Sequence, residues 1–249
     1  MRKFVIVILA LLILGSAAAY ILIRLTRKPP PTPRGWRAQV ITVAGDGSPT
    51  TLADPFGVAV DAEGVVYIAD AGESNRIQKI APDGTITTLA GGSEGFADGA
   101  GAQASFNTPS GIAIDANANL YVADTGNNRI RKVTPEGVVS TIAGDGTAGY
   151  VDGPVAQAQF NGPIGVAVDN VGNVYVADTY NDRIRKISLD GQVMTLAGEF
   201  DTPCGVVVAS DGSVIVADTG NNQLRKLTTD GNVTTLTINN TDLSRPIGV

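Results

Sequence analysis

Histidine is absent from all 249 residues. Its absence removes every His-dependent catalytic triad, His-ligated metal and imidazole acid/base in one step, because each needs a ring nitrogen that titrates or ligates near neutrality. Cysteine is nearly absent too. Cys204 stands alone, so no internal disulfide can form, and a chain without bridges says little about its redox compartment. Charge is lopsided: all 24 acidic residues follow position 37 but only 11 of the 18 basic ones do, which leaves residues 38–249 near −13. A nucleic-acid-binding face needs concentrated positive charge, so no nucleic-acid partner is expected. The chain is rich in apolar residues, 43% of the total, and can therefore bury a large core.

The N-terminus is a separate object. After a three-residue tail, Phe4 to Ile23 runs for 20 residues without a charge, enough at about 1.5 Å per residue to cross a hydrocarbon core of about 30 Å. A cleaved signal peptide is the competing reading, with Ala17-Ala18-Ala19 as the small-residue site. The apolar run continues past those alanines through Tyr20-Ile21-Leu22-Ile23, which favours an uncleaved transmembrane signal anchor. Arg24, Arg27, Lys28, Arg34 and Arg37 follow it, and by the positive-inside rule they argue for a cytoplasmic C-terminal side. The short N-terminal tail argues the other way, and the expectation is a single-pass protein with the remainder on the periplasmic or extracellular side. Residues 24–37 form a basic, proline-rich linker: Lys28 to Trp36 carries four prolines, which remove backbone donors and stiffen the chain toward polyproline II.

From residue 38 onward one sentence recurs. "YIADAGESNRIQKI" begins at Tyr67, "YVADTGNNRIRKV" at Tyr121, "YVADTYNDRIRKI" at Tyr175 and "IVADTGNNQLRKL" at Ile215. Each is flanked by further short apolar runs and by Gly, Asn and Asp turns, which predicts four antiparallel strands per copy. The runs are nearly continuous in apolar character, so both faces of each small sheet should be covered by neighbouring copies. The aspartates that close the second strands lie at 70, 124, 178 and 218. Steps of 54, 54 and 40 describe a core unit of about 40 residues with two insertions of about 14, the signature of β-propeller blades. Four blades are complete. Gln39 to Gly45 matches a fourth strand and Arg245 to Val249 the start of a first strand, so the expectation is a partial propeller, truncated at its C-terminus, of a protein with six blades.

The stretch "PSGIAIDANANLYVADTGNNRIRKVTPEGVVSTIAG" from Pro109 resembles the NHL-repeat family, and the resemblance extends over roughly residues 39–249. The long glycine-rich linkers are similar to those of bacterial and teneurin-like NHL propellers. This resemblance implies the fold strongly and the function weakly, since the architecture hosts enzymes and binding scaffolds alike.

Features copied into every blade suit the scaffold, and features that occur less often suit function. Asp124 and Arg129, like Asp178 and Arg183, flank a four-residue turn and should stand opposite one another as cross-strand pairs that fix register. Asp70 with Arg76 has one extra residue, and Asp218 faces Gln223 instead. A ring of acidic ligand groups is the alternative reading of these aspartates. The two insertions, Gly91 to Pro109 and Gly144 to Pro163, should lie on the same face as the turns between second and third strands. They bring Glu94, Phe96, Asp98 and Asn107, and Asp145, Tyr150, Asp152 and Asn161, onto that face as candidate partner-binding residues, because loops on a rigid scaffold commonly carry binding. The competing reading has Phe96, Phe106, Tyr150 and Phe160 plugging gaps between blades. The stretch Asp145 to Asp152 lacks the ordered ligand spacing of an EF-hand, and neither a metal nor a cofactor is expected. The function expected is a non-enzymatic scaffold for a protein or glycan partner. The alternative is a hydrolase resembling lactonases and gluconolactonases with a divalent metal in the central channel, where Asp61, Asp115 and Asp169 end the innermost strands.

Overall fold

A computed structural model of the chain describes residues 52–196, 200–237 and 243–249. The apolar stretch Phe4 to Ile23, the proline-rich linker and Gln39 to Gly45 lie outside the described residues. Among the described residues no helix is long and apolar enough to cross a membrane.

The described residues form four consecutive antiparallel blades of a β-propeller. Blade 1 consists of β1 (Pro55–Val60), β2 (Val66–Asp70), β3 (Arg76–Ile80) and β4 (Ile86–Gly91), paired in that order. After the short β5 (Gly99–Ala100), blade 2 follows with β6 (Pro109–Ile114), β7 (Leu120–Asp124), β8 (Arg129–Val133) and β9 (Val138–Ala143). The short β10 (Gly153–Pro154) precedes blade 3, made of β11 (Pro163–Val168), β12 (Val174–Asp178), β13 (Arg183–Ile187) and β14 (Gln192–Thr195). Blade 4 is β15 (Pro203–Val208), β16 (Val214–Asp218), β17 (Gln223–Leu227) and β18 (Val233–Thr235). Every residue of β7 and β12 is buried, as expected of strands covered on both faces by stacked sheets.

The expectation of four strands per blade needs a correction. Blades 2 and 3 have five, because β5 pairs with β9 (Gly99 with Val139) and β10 with β14 (Gly153 with Val193). Each insertion leaves the fourth strand of one blade and lies along the fourth strand of the next, where it pairs backbone groups that an outer edge would leave open.

The first strands are innermost, and β6, β11 and β15 each lie beside their predecessor. Their backbones approach so closely that a Cβ on Gly57, Gly111 or Gly165 would collide with the carbonyl oxygen of Ser110, Ile164 or Cys204 on the next blade. Glycine is required there by space, since none of the three has a positive φ.

The recurring sentence is largely a joint. The closing aspartate of each second strand accepts from the backbone entering its own blade: Asp124 Oδ1 from Asn107 N–H at 2.8 Å and Asp178 Oδ1 from Asn161 N–H at 2.8 Å. The turn that follows reaches the next blade. Asn75, Asn128, Asp182 and Asn222 all have left-handed φ, a conformation that Asn and Asp tolerate best among non-glycine residues. Their Oδ1 atoms accept from the N–H of Thr108, Gly162, Thr202 and Arg245. Thr125, Thr179 and Thr219 donate to the carbonyls of Pro163, Pro203 and Pro246 in the same direction. Arg245 and Pro246 are therefore docked on blade 4 in the way each first strand is docked on its predecessor.

Between blades the core is hydrophobic. Phe106 is fully buried in a cluster with Ala69, Ile77 and Ala90 of blade 1 and Ile112 and Val122 of blade 2. Phe160 does the same between blades 2 and 3, and Phe200 between blades 3 and 4.

Candidate functional site

The two insertions fold over the outer ends of blades 2 and 3 as closed loops. In the first, Gly95 N–H donates to the Phe106 carbonyl, and Ala97 and Ser105 exchange backbone hydrogen bonds. In the second, Gly149 N–H donates to Phe160 and Gln159 N–H to Val151. Both meet the turns between second and third strands, as expected: Asn127 Nδ2 donates to the Gly95 carbonyl and Asn181 Nδ2 to the Gly149 carbonyl, each at 2.8 Å.

Each loop is pinned by one buried arginine that sequence reasoning passed over. Arg131 has no exposed side-chain surface and donates to Asp124 Oδ2 and to Asp98 Oδ1, both at 2.6 Å, and to the carbonyls of Ala97 and Ser105. Arg185 repeats this with Asp178 at 2.8 Å, Asp152 at 2.6 Å and the carbonyls of Val151 and Gln159. Bidentate guanidinium geometry suits it to bridging two carboxylates in a confined space. Asp98 also accepts from Thr141 N–H, and Asp152 from Thr195 N–H, which satisfies outward-facing donors on β9 and β14.

The cross-strand pairs are corrected accordingly. Asp124 stands opposite Arg129, and Asp178 opposite Arg183, in backbone register, yet their ion pairs go to Arg131 and Arg185. Arg129 is drawn instead to the Asp145 carbonyl at 2.5 Å and stacks on Phe96, 3.8 Å from the ring centroid. Arg183 stacks on Tyr150 at 4.3 Å. Blade 1 keeps the Asp70–Arg76 contact at 2.9 Å, and in blade 4 Asp218 takes Arg225 at 3.2 Å. The closing aspartates are fully buried and face these partners rather than a solvent-filled channel.

The four aromatic residues of the insertions divide into two groups. Phe96 and Tyr150 remain 47% and 46% exposed beside the arginines that hold them, while Phe106 and Phe160 are the interblade plugs. Phe96, Asp98, Arg129 and Asp145 border one open cleft of about 400 Å³ whose floor includes Ile142 and Val155. Glu94 is exposed and does not line this cleft. Asp145 accepts from Thr147 N–H and Gln159 Nε2 and Asp152 faces Arg185, so the two do not converge on a common cation. Asn107 and Asn161 serve the joints, their carbonyls accepting from Gly126 and Tyr180 N–H.

The central channel is a second concavity, about 180 Å³, lined by Phe56, Val58, Ile112, Val206, the inner glycines and Cys204. Cys204 is its one heteroatom side chain among the described residues. Asp61, Asp115 and Asp169 turn away from it: each accepts from backbone N–H groups of its own turn and from the hydroxyl of Tyr67, Tyr121 or Tyr175. Burial and the adjacent Asp115 charge push the Tyr121 hydroxyl up to about 12. A divalent cation held by carboxylate and amide oxygens in the channel does not fit these residues.

Electrostatics set how firmly the first loop is held. Burial raises the Asp98 carboxyl, but hydrogen bonds from Arg131 and Thr141 outweigh that and leave it below the usual carboxylate range. A carboxyl depressed on folding stabilises the fold above its unfolded value, about pH 4, and that contribution is lost as pH falls through the folded value. Asp124, raised by burial, works in the opposite sense, being easier to protonate in the folded state. The expected result is local: pepsin cleavage at exposed Phe96 should rise between about pH 4 and pH 2 before the blades unfold, and Asp98→Asn should bring the same susceptibility at higher pH. Cleavage that tracks global unfolding alone would sink this expectation.

The NHL repeat family model matches residues 52–80, 106–133, 160–187 and 200–227. Arabidopsis thaliana protein SUPPRESSOR OF QUENCHING 1, chloroplastic, is 35% identical over 163 residues, covering 59% of this chain and 15% of that protein. Human teneurin-4 is 40% identical over 96 residues, 32% of this chain and 4% of the teneurin. The chain thus spans a small fraction of the length of these relatives. Among solved structures, virginiamycin B lyase from Staphylococcus aureus superposes with a TM-score of 0.55 at 20% identity, covering 75% of this chain and 56% of the lyase, a likeness of fold.

Proposed function

Because the chain is built on four NHL repeats and belongs to the NHL-repeat propellers, we propose that it is a non-enzymatic scaffold that engages a protein partner through the face carrying the two insertions. The observation that carries this reading is the pair of half-exposed rings, Phe96 and Tyr150, each stacked on an arginine and held by a loop that a buried arginine pins. Aromatic and arginine side chains dominate binding hot spots, and a ring that is already ordered costs little further entropy on association. The neighbouring cleft supplies an apolar floor between Ile142 and Val155. In this reading Phe4 to Ile23 tethers the propeller to a membrane, with the proline-rich linker holding it about 15 Å off the surface on the outer side.

The test uses the immobilised full chain and extract of its source cells. Phe96→Ser with Tyr150→Ser should abolish retention of the partner while leaving the thermal midpoint nearly unchanged, since both rings are exposed. Equal retention would place the site elsewhere. Metal-dependent turnover of a lactone panel, undiminished by both substitutions, would favour the hydrolase. An exported-only reporter fused after Arg37 tests the side of the membrane, and a stably inserted but inactive fusion would reverse it.

A further inference from the structure

Blade 4 lacks what its neighbours have. The link from blade 3 to blade 4 omits the 14-residue insertion, and three groups that the insertion serves in blades 2 and 3 stand open. Arg225 lies forty residues beyond Arg185 and occupies the same register, opposite Thr235 as Arg185 is opposite Thr195. Where Arg131 and Arg185 each bind two carboxylates, Arg225 binds only Asp218, at 3.2 Å, and its side chain is 20% exposed. Its Nε is buried without a partner, a feature it shares with Arg131 of blade 2, so the difference lies in the missing second carboxylate. Thr235 N–H matches the Thr141 and Thr195 N–H groups that donate to Asp98 and Asp152, and among the described residues it has no acceptor. The outer edge of β18 carries no fifth strand among the described residues.

A cleft of about 150 Å³ completes the site. It is lined by Leu196, Val214, Leu227 and Gly231. The residues forty positions earlier in the last three cases are Val174, Ile187 and Gly191, and Ile142 matches Leu196. In blade 3 Val155 fills the corresponding place: it packs in the cluster that holds Ile142, Val174 and Ile187, and its N–H donates to the Gly191 carbonyl.

We infer that blade 4 is an acceptor for an extended segment of a partner protein, which adds as a fifth strand beside β18, sends an aspartate to Arg225 and Thr235, and seats a small aliphatic side chain in the cleft. This is strand addition to a sheet edge, in which backbone pairing supplies affinity and alternate side chains supply selectivity. The chain itself specifies the chemistry of the occupant. The two insertions place Phe96-Ala97-Asp98-Gly99 and Tyr150-Val151-Asp152-Gly153 on their blades, and the glycines adopt φ of 148° and 124°, where other residues are strained. Aromatic-x-Asp-Gly occurs twice in the 249 residues, and both copies are already seated on blades 2 and 3. Gln223 replaces the arginine that stacks on the aromatic ring and already accepts from Thr235 Oγ1. The aspartate and the aliphatic residue are therefore the main anchors.

The probe is a fluorescein-labelled peptide copying residues 148–157, titrated against the full chain in mild detergent and read by anisotropy. Saturable binding is expected. Changing its aspartate to asparagine, or Arg225→Gln in the protein, should each weaken binding about tenfold or more, the loss typical of a charge-assisted hydrogen bond, and the two changes together should cost little beyond either. Thr235→Pro, at an exposed edge, should weaken binding independently of any effect of Arg225 on folding. The inference is overturned by an absence of saturable binding, by equal affinity of the asparagine peptide, or by binding that neither protein variant reduces, which would mean exchange with the loop on blade 3. It stands apart from the face bearing Phe96 and Tyr150, whose double substitution should leave this binding unchanged.

Discussion

Arg131→Met should lower the unfolding free energy by about 3–5 kcal/mol, the range for removing one partner of a buried ion pair. The cause is what remains behind. Asp124 is fully buried and would keep only Asn107 N–H and Asn127 Nδ2 as donors, while Asp98 would lose its hold on the blade and release the loop that carries Phe96. A graded series isolates this cause. Arg131→Gln should cost less than Arg131→Met, because blade 1 already uses Gln78, whose Nε2 donates to Asp70 Oδ2 at 3.2 Å. Arg225→Met should also cost less, since that side chain meets a single carboxylate at longer distance and is partly exposed. Chemical denaturation of the full-length variants measures all three. Equal losses at Arg131 and Arg225 would show that the second carboxylate contributes nothing, and that the loops are held by other contacts.

The propeller was legible in the sequence because its physics repeats. Four copies of one sentence expose the strand pattern, the joint aspartates and the turn asparagines together, and continuous apolar runs such as "LYVAD" announce strands covered on both faces. The β5 and β10 strands were not legible, because two residues of Gly-Ala or Gly-Pro carry no strand signal, and pairing with a neighbouring blade supplies what propensity does not.

At the candidate site, the insertions and their exposed aromatics were visible, but the pinning arginines were hidden by nearness. Arg129 and Arg131 share a face of β8, and the shorter hairpin contact was assigned the ion pair that burial gives to the deeper one. One signal was present. The aromatic-x-Asp-Gly stretch precedes the two blades that carry arginine at both positions, whereas blade 1 has Gln78 and blade 4 has Gln223. That correlation ties loop to blade without a structure.

Phe106→Ala should cost about 3–5 kcal/mol, the usual range for emptying a fully buried aromatic site, and the form of the loss is more telling than its size. Phe106 belongs to blade 2's approach but fills the space against Ile77 and Ala90 of blade 1, and it lies 5.1 Å from the Arg131 guanidinium. It is therefore part of the coupling between two blades rather than of either blade alone. In a chain of stacked repeats, stability approximates a sum of unit and nearest-neighbour terms, so weakening one joint should separate blade 1 from the remainder. Hydrogen exchange should show the amides of β2 and β3 opening at lower free energy than those of β12 and β13, and the denaturation curve should broaden or divide. Phe200→Ala is the matched control. It empties the joint between blades 3 and 4 and should leave β2 and β3 protected while exposing β16 and β17. A single sharp transition with uniform loss of protection in both variants would mean that the blades unfold as one unit, and that the joints do not hold their energy locally.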